Sequence, residues 1–289
     1  MIREKHYPYA VHKHKLKHTN VELAFMEEGK GPKVILFIHG LGHSSLGWVK
    51  NIASLKDDFH CIALDLPGNG LSSYDQEYPY SIHFFARCIH DFIEEKGLKN
   101  VYLAGHSMGG QISLMYAHLF SNELSGLILC APAGLETFGV WEKTLYKNTL
   151  QFLDLFNSEE NNLRQAIQNS FYKMPQDTQR LINGFTDLMQ LQDRKHYKYM
   201  LECCINGMLN EPVHAYFSSI TIPVYVVFGE RDNLIPNKFI HPTTVKLFAE
   251  KAIEDFPNAR LFILRDCGHF LQWEKPKELN KIIEEKLNN

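Results

Sequence analysis

The 289-residue chain lacks several features that would assign it to a functional class at once. Its formal net charge is only −3, so charge gives no reason to expect nucleic acid or an anionic membrane as a partner. No apolar run is long enough to cross a bilayer, and residues 1–18 lack the apolar stretch of a signal peptide. We therefore expect a cytoplasmic protein that does not insert into a membrane.

Patterns for metal binding and disulfide formation are missing as well. The six cysteines show no CxxC pair and no Cys/His ligand spacing, and most of them lie among apolar residues. Interleaved lysines would repel a cation from the four early histidines, so a solvated edge strand is the better interpretation of His6, His12, His14 and His18. We expect buried free thiols in a reducing compartment, no metal and no organic cofactor.

The sequence does contain an alternation of short apolar runs with helical patterns. The runs are residues 33–39, 60–65, 101–105, 126–130, 224–229 and 260–264. Helical spacing follows over residues 81–96, 109–120, 243–255 and 277–287. This alternation predicts a mostly parallel, doubly wound α/β sheet, and residues 20–28 are predicted to form an antiparallel edge strand.

Residues 136–218 differ because they contain no convincing strand. Leu, Phe, Tyr and Met recur there at helical spacing. A helical insertion between two strands is suited to cover the carboxyl edge of the sheet, where open α/β sheets bind ligands. We predict a core domain of residues 1–135 and 219–289, and a helical cap of residues 136–218. Cap residues such as Phe152 and Met189 are expected to influence which ligand fits.

A Gly-x-Ser-x-Gly pattern, from Gly105 to Gly109, joins the strand at 101–105 to the helix that follows. Such a turn holds the serine in a strained conformation with its hydroxyl exposed, and side chains at the two glycines would collide with their surroundings. In this context the chain resembles the α/β-hydrolase superfamily over nearly all of the sequence outside the cap. Ser107 is then the expected nucleophile.

The resemblance implies an acid and then a histidine further along the chain, each after a strand. Residues 229–236 resemble the family's Gly-x-x-Asp-x-x-x-Pro loop, which places Asp232 as the acid. Gly268-His269 resembles the family's Gly-His loop, which places His269 as the base. Glu230, Asp266 and Glu136 compete as acids, and Glu136 is the main alternative because it follows the strand at 126–130.

Two loops resemble supporting motifs of the same family. The His-Gly-x-Gly sequence at 39–42 implies an oxyanion hole made by the backbone N–H groups of Leu41 and Met108, with His39 in a structural role below the loop. Residues 65–72 resemble the family's Asp-x-x-Gly-x-Gly-x-Ser turn, and we expect Asp65 to organise it by accepting backbone hydrogen bonds. A phosphate site is not expected there, because no Walker lysine follows and GxGxxG is absent.

The substrate class is less narrowly defined. Serine at position 107 excludes the dehalogenases and epoxide hydrolases of this fold, which carry aspartate at the position of the nucleophile. Residues 267–274 (CGHFLQWE) are similar to the histidine loop of C–C bond hydrolases, but Phe270 and His106 replace the tryptophan and asparagine that are usual in those enzymes. We predict that His106 and Phe270 contact the substrate.

We expect a serine hydrolase that cleaves a small apolar carboxylic ester, or a related thioester or lactone, through an acyl-enzyme intermediate. Two alternatives stay open: a C–C bond hydrolase of ring-cleavage products, and a weakly catalytic ligand receptor. The sequence does not indicate the oligomeric state or the length of the acyl chain.

Overall fold

The computed structural model describes residues 5–120, 123–152 and 160–288 of the chain. Its strands are β1 (Val11–Lys15), β2 (Glu22–Glu28), β3 (Val34–Ile38), β4 (His60–Leu64), β5 (Val101–His106), β6 (Leu124–Cys130), β7 (Val224–Gly229) and β8 (Ala259–Leu264). They form one sheet in the order β1-β2-β4-β3-β5-β6-β7-β8. The pairs from β4 to β8 are parallel, and those of β2 with β1 and β4 are antiparallel. The predicted mostly parallel α/β sheet is confirmed.

The predicted edge position of residues 20–28 is wrong. β2 is antiparallel, as predicted, but it pairs with β1 on one side and with β4 on the other. The edge strand on this side of the sheet is β1, as predicted for His12 and His14, which lie in its largely exposed sequence VHKHK. Lysine and histidine suit an edge because they keep the open backbone solvated and discourage pairing with another chain.

Helices cover both faces of the sheet. The core contains α1 (Val49–Leu55), α2 (Ile82–Glu95), α3 (Met108–Leu119), α8 (Val245–Ala252), α9 (Leu271–Glu274) and α10 (Pro276–Leu287). The four predicted helical segments match α2, α3, α8 and α10 within a few residues at each end. In α2 the hydroxyl of Ser81 accepts from the Phe84 N–H and caps the helix, while Phe85, Ile89 and Phe92 face the core.

In the described residues between β6 and β7, the α-helices are α4 (Val140–Phe152), α5 (Glu160–Asn169), α6 (Thr178–Met189) and α7 (Arg194–Asn210). Within residues 136–152 and 160–218, the described part of this region, no residue is in a strand. The Tyr197 hydroxyl donates to the Gly42 carbonyl over 3.2 Å, and Gln192 Nε2 donates to the Gly68 carbonyl over 2.9 Å. These helices therefore contact the loops that follow β3 and β4; that residues 136–218 form a separate cap stays a prediction.

The parallel strands place the chemistry-bearing loops at one edge. β3, β5, β7 and β8 end at Ile38, His106, Gly229 and Leu264. The carboxyl ends of parallel strands share an edge, so the loops that carry Leu41, Ser107, Asp232 and His269 meet there. All six cysteines are free thiols, as predicted, and only Cys203 is not fully buried. Among the described helices, none is both long and apolar enough to span a membrane.

Candidate active site

The turn after β5 holds Ser107 in a backbone conformation that residues with a side chain rarely adopt. Its φ is 53° and its ψ is −119°, and the chain passes there directly from β5 into α3. The Ser107 N–H donates to the Cys130 carbonyl over 3.0 Å, and the Ser107 carbonyl accepts from the Ala133 N–H over 2.9 Å. Bonds to the chain around the end of β6 thus maintain a conformation that costs about 1–3 kcal/mol.

Glycine is required on both sides of Ser107. A Cβ atom on Gly105 would lie 2.4 Å from the Gly109 carbonyl oxygen, and one on Gly109 would lie 2.4 Å from the Ile38 oxygen. Both distances are far below van der Waals contact with backbone atoms that cannot move aside. The expected collisions at the two glycines are therefore confirmed.

His269 and Asp232 form a buried pair, with exposed fractions of 2% and 0%. His269 Nδ1 lies 2.8 Å from Asp232 Oδ2, and the other Asp232 oxygen accepts from the N–H groups of Leu234 and Ile235. A carboxylate only accepts, so the proton of the imidazole is on Nδ1 and the lone pair is on Nε2. That is the tautomer a general base needs.

Ser107 lies close to this pair through its neighbour His106. The ring centroids of His106 and His269 are 4.8 Å apart, and His106 Nε2 donates to the His269 carbonyl over 3.0 Å. The Ser107 side chain is partly exposed, and among the described residues its hydroxyl has no hydrogen bond to His269. Such bonds often become short only when substrate is bound.

Glu136, the main alternative acid, pairs with a different histidine. Its carboxylate lies 2.6 Å from His241 Nδ1 and accepts from the Asn237 N–H over 2.9 Å. Burial raises the pKa of Glu136. These contacts brace the chain that follows the acid loop. The other competitors are exposed, and their ion pairs are with Arg231 for Glu230 and with Lys173 for Asp266.

His106 and Phe270 were predicted to contact the substrate, and both are fully buried. The rings of His106 and Phe270 lie 5.0 Å apart, and Phe270 also stacks on Phe171 at 5.2 Å. Burial, followed by the nearby His269 and His43 rings, lowers the pKa of His106 well below its usual value. The structure thus gives both residues packing roles beside His269, and their contact with substrate stays a prediction.

The loop after β3 is held from below by His39. Its Nδ1 donates to the Gly40 carbonyl over 2.8 Å, and its Nε2 accepts from the Leu66 N–H over 2.9 Å. The structural role predicted for His39 is confirmed. Leu41 and Met108 follow this residue and the nucleophile closely, and in the described part of the chain neither backbone N–H donates to another protein group. Their role as oxyanion donors stays a prediction.

Asp65 organises the turn after β4, as predicted. One carboxylate oxygen accepts from the Ser45 N–H over 2.8 Å, and the other accepts from the Leu71 N–H over 2.9 Å and the Tyr7 hydroxyl over 2.6 Å. The buried carboxylate thus has hydrogen bonds on both oxygens. Because Ser45 follows β3 and Leu71 follows β4, these bonds link the two turns. These contacts give Asp65 the structural role predicted for it.

His43 also lies at this site, although it was not predicted from the sequence. Its ring stacks on Phe185 of α6 at 4.9 Å with an interplanar angle of 4°, and it faces His106 at 5.8 Å with an angle of 8°. Burial, with the nearby His39 and His269, lowers the pKa of His43 to about 3, so the ring is neutral at pH 7. A histidine just after His-Gly-x-Gly was the available signal, but nothing in a loop pattern indicates what the ring will stack against.

A second missed feature ties the cap region to the histidine loop. The Ser170 carbonyl accepts from the His269 N–H over 2.8 Å. The Glu274 carboxylate accepts from the N–H groups of Gly268, Tyr172 and Lys173 at 2.9 to 3.2 Å. The backbone on both sides of His269 is thus bonded to the segment after α5. No local motif marks this contact, because Tyr172 and Glu274 are far apart in sequence.

Comparison with known protein families gives one match, to the model described as alpha/beta hydrolase fold, over residues 33–276. Among curated relatives, the chain is 24% identical over 257 residues to the monoacylglycerol lipase ABHD6 of Homo sapiens, covering 86% of this chain and 73% of that protein. It is 27% identical over 263 residues to the 2-hydroxy-6-oxo-6-phenylhexa-2,4-dienoate hydrolase of Comamonas testosteroni, covering 89% and 88%.

Solved structures show the same fold. A probable hydrolytic enzyme from Pseudomonas aeruginosa PAO1 superposes with a TM-score of 0.82 at 24% identity, covering 98% of this chain and 96% of that one. An esterase from Exiguobacterium antarcticum superposes with a TM-score of 0.80 at 18% identity, covering 96% and 99%.

Proposed function

The chain belongs to the α/β-hydrolase fold family, and from that premise we propose that it hydrolyses small apolar carboxylic esters with Ser107 as nucleophile. Relatives named lipase and esterase support ester hydrolysis at the level of the family. The site residues support a mechanism in which His269 is the base, Asp232 orients it, and Leu41 and Met108 donate to the oxyanion.

In the first half of the reaction, Ser107 Oγ attacks the ester carbonyl carbon while its proton passes to His269 Nε2. The carbonyl oxygen becomes an oxyanion, which the N–H groups of Leu41 and Met108 stabilise. The start of α3 at Met108 adds the positive end of a helix dipole. Protonated His269 then gives its proton to the leaving alcohol as the ester C–O bond breaks, leaving an acyl group on Ser107.

In the second half, a water molecule attacks the acyl carbon while His269 takes a proton from it. The bond from the acyl carbon to Ser107 Oγ breaks, Oγ regains a proton from His269, and the carboxylic acid leaves. Asp232 stabilises the imidazolium in both halves and keeps its own charge. His269 takes up one proton and gives it back in each half of the reaction, so the reaction balances without a cofactor.

The observation that carries the proposal is the 2.8 Å contact of His269 Nδ1 with Asp232 Oδ2 beside the strained turn at Ser107. The contact fixes the proton on Nδ1 and leaves Nε2 of His269 as a base, an arrangement that a histidine with only a packing role does not need. The full burial of Asp232 is costly unless its charge is paired, and stabilising an imidazolium makes use of that charge.

Hydrolysis of p-nitrophenyl butanoate tests the proposal. The wild-type protein and Ser219→Ala, a change at an exposed serine, should release p-nitrophenol at the same rate. Ser107→Ala should reduce kcat by about 10⁴-fold or more without loss of fold, because the serine is not a packing residue. If wild-type protein leaves this ester and its short-chain homologues intact, ester hydrolysis is the wrong assignment.

C–C bond hydrolysis is a second candidate. It is favoured by the 27% identity to a relative named for 2-hydroxy-6-oxo-6-phenylhexa-2,4-dienoate, together with the CGHFLQWE sequence at 267–274. This function is tested directly by incubating the protein with that dienoate and measuring the loss of the dienoate's absorbance. Turnover of the dienoate at a higher kcat/KM than any simple ester would make it the preferred assignment.

A further inference from the structure

A small cavity lies between α6, the start of α7 and the two loops that follow β3 and β4. Its volume is about 10 Å³. The residues that matter for its chemistry are Gly42, His43, Asn69, Phe185, Met189 and Gln192. A cavity of this size has room for roughly one group as large as a water molecule.

Two amide oxygens at this cavity have no hydrogen-bond partner among the described residues, although both are buried: Asn69 Oδ1 and Gln192 Oε1. Their side chains are 2% and 8% exposed. The orientation of each amide is set by its nitrogen, since Asn69 Nδ2 donates to the Pro67 carbonyl over 3.2 Å and Gln192 Nε2 to the Gly68 carbonyl over 2.9 Å. Buried acceptors are costly to leave unpaired, so these oxygens point to a hydrogen-bond donor.

His43 also lines the cavity, and its buried Nδ1, which lies beside Gly40, has no hydrogen-bond partner among the described residues. The ring is neutral at pH 7, so it offers one donor and one acceptor. A cation would be poorly placed here, because the carboxylate of Asp65, which lies against Gly70 of the cavity wall, is already bonded through both oxygens. A neutral donor, which a hydroxyl group supplies, fits better than an ammonium group.

The cavity lies close to the nucleophile. A Cβ atom placed on Gly40 would be 3.1 Å from Ser107 Cβ and 3.3 Å from His43 Nδ1, so Gly40 fits tightly between the nucleophile and His43, which lines the cavity. Gly42 and His43 follow Leu41, the proposed oxyanion donor, directly in the chain. A substrate group that enters the cavity would therefore have to lie close to the ester bond.

We propose that this cavity binds one hydroxyl group of the substrate, so that the protein prefers esters carrying a free hydroxyl near the ester bond. The proposal rests on the ester hydrolysis proposed above. The hydroxyl donates to an amide oxygen of Asn69 or Gln192, and a methyl group in its place leaves both acceptors unpaired. A site built in this way discriminates against the analogue that lacks the hydroxyl.

Matched esters test the proposal. One pair, 2-hydroxyethyl butanoate and propyl butanoate, places the hydroxyl or methyl on the alcohol side. A second pair, ethyl 3-hydroxybutanoate and ethyl 3-methylbutanoate, places it on the acyl side. In one of the two pairs, wild-type kcat/KM should favour the hydroxyl ester by roughly three- to tenfold, the effect of one hydrogen bond. The pair that shows the preference identifies the side on which the hydroxyl lies.

Gln192→Met, which keeps the side-chain length but removes the acceptor, should bring that ratio close to one. Gln165→Met, the same substitution at an exposed glutamine of α5, should keep the wild-type ratio. Should Gln192→Met fail to fold because the bond to Gly68 is lost, Asn69→Ala gives the same measurement with that bond intact.

A wild-type ratio near one in both pairs would overturn the proposal and mean that the cavity holds only water. An unchanged preference in Gln192→Met and in Asn69→Ala would overturn it as well. Hydrolysis of none of the four esters would instead contradict the proposed function, and the inference would fail with it. The two failures are therefore distinguishable.

Discussion

Asp232 and Glu136 each pair with one histidine, and only Asp232 pairs with His269. Asp232→Asn should lower kcat on p-nitrophenyl butanoate by about 10⁴-fold, because an amide stabilises the wrong imidazole tautomer. Glu136→Gln should keep most of the activity, since its partner is His241. A nearly silent Asp232→Asn together with a severe Glu136→Gln would contradict the assignment of the acid.

His106 gives a prediction about stability and pH. Its pKa is lowered in the folded state, whereas an unfolded histidine titrates near pH 6.5. Below that pH the unfolded chain binds a proton that the folded chain does not, so the free energy of unfolding falls as the pH falls. The loss approaches about 1.4 kcal/mol per pH unit for this group.

Urea unfolding at pH 7.5 and pH 5.5 measures that loss. His106→Asn should be less sensitive to pH than the wild type, because one of the neutral buried histidines is gone. His118→Asn is the control, since His118 is partly exposed and lies away from the site, stacked on Tyr216. Equal pH sensitivity in wild type and His106→Asn would show that His106 is not held neutral by the fold.

The short helix α9 ends at Glu274, whose carboxylate holds the backbone of Gly268 and of the segment after α5. Glu274→Ala should lower kcat for p-nitrophenyl butanoate by about tenfold, because the loop that carries His269 loses its anchor. Glu274→Gln keeps one acceptor oxygen, so its kcat should lie between those of the wild type and Glu274→Ala. Glu278→Ala, at an exposed residue of α10, is the control.

If kcat for Glu274→Ala matches the control while only its thermal stability falls, Glu274 has a purely structural role. A rise in KM at constant kcat would instead mean that the segment after α5 acts on substrate binding and not on His269.

Regular elements could be predicted because burial leaves a periodic pattern. The core face of α2 repeats at Phe85, Ile89 and Phe92, and β3 is a continuous apolar run because helices cover both of its faces. Residues 20–28 were wrongly predicted to lie at the edge. An alternation of apolar and polar residues indicates which face of a strand is buried, but it does not indicate which strands pair with it. The alternating lysines and histidines of β1, for which a solvated edge strand was also predicted, were the correct indication.

The gathering of the proposed catalytic residues could also be predicted, because parallel strands share a carboxyl edge. The contacts of the cap region could not. Tyr197 reaches Gly42, and Phe185 stacks on His43, across distances in sequence that no local pattern spans. The sequence indicated helices over residues 136–218, but it did not show which of their faces meets the loops at Ser107.

At the level of the whole molecule, the cap region should select the acyl group. With p-nitrophenyl esters from acetate upward, kcat/KM should rise by no more than about 0.8 kcal/mol per methylene until the pocket is full. Met189→Ala should change this profile more than the rate with acetate, because Met189 is buried on α6, whose Phe185 stacks on His43 near Ser107. The side chain of Phe152, also expected to matter, lies outside the described residues.

Met174→Ala is the matched control, since Met174 is 52% exposed and should leave the chain-length profile unchanged. An unchanged profile in Met189→Ala as well would argue against selection by this part of the cap region. Replacing residues 136–218 with a short linker extends the test. A folded deletion with the wild-type profile would show that the cap does not choose the substrate.

Ser107 is proposed to carry the acyl group during turnover. Acid quenching of the protein with p-nitrophenyl butanoate within the first turnover, followed by digestion and mass spectrometry, measures this directly. We expect a butanoyl group on the peptide that contains Ser107, and none in Ser107→Ala. Steady turnover with no acylated peptide, or with the butanoyl group on another residue, would contradict it.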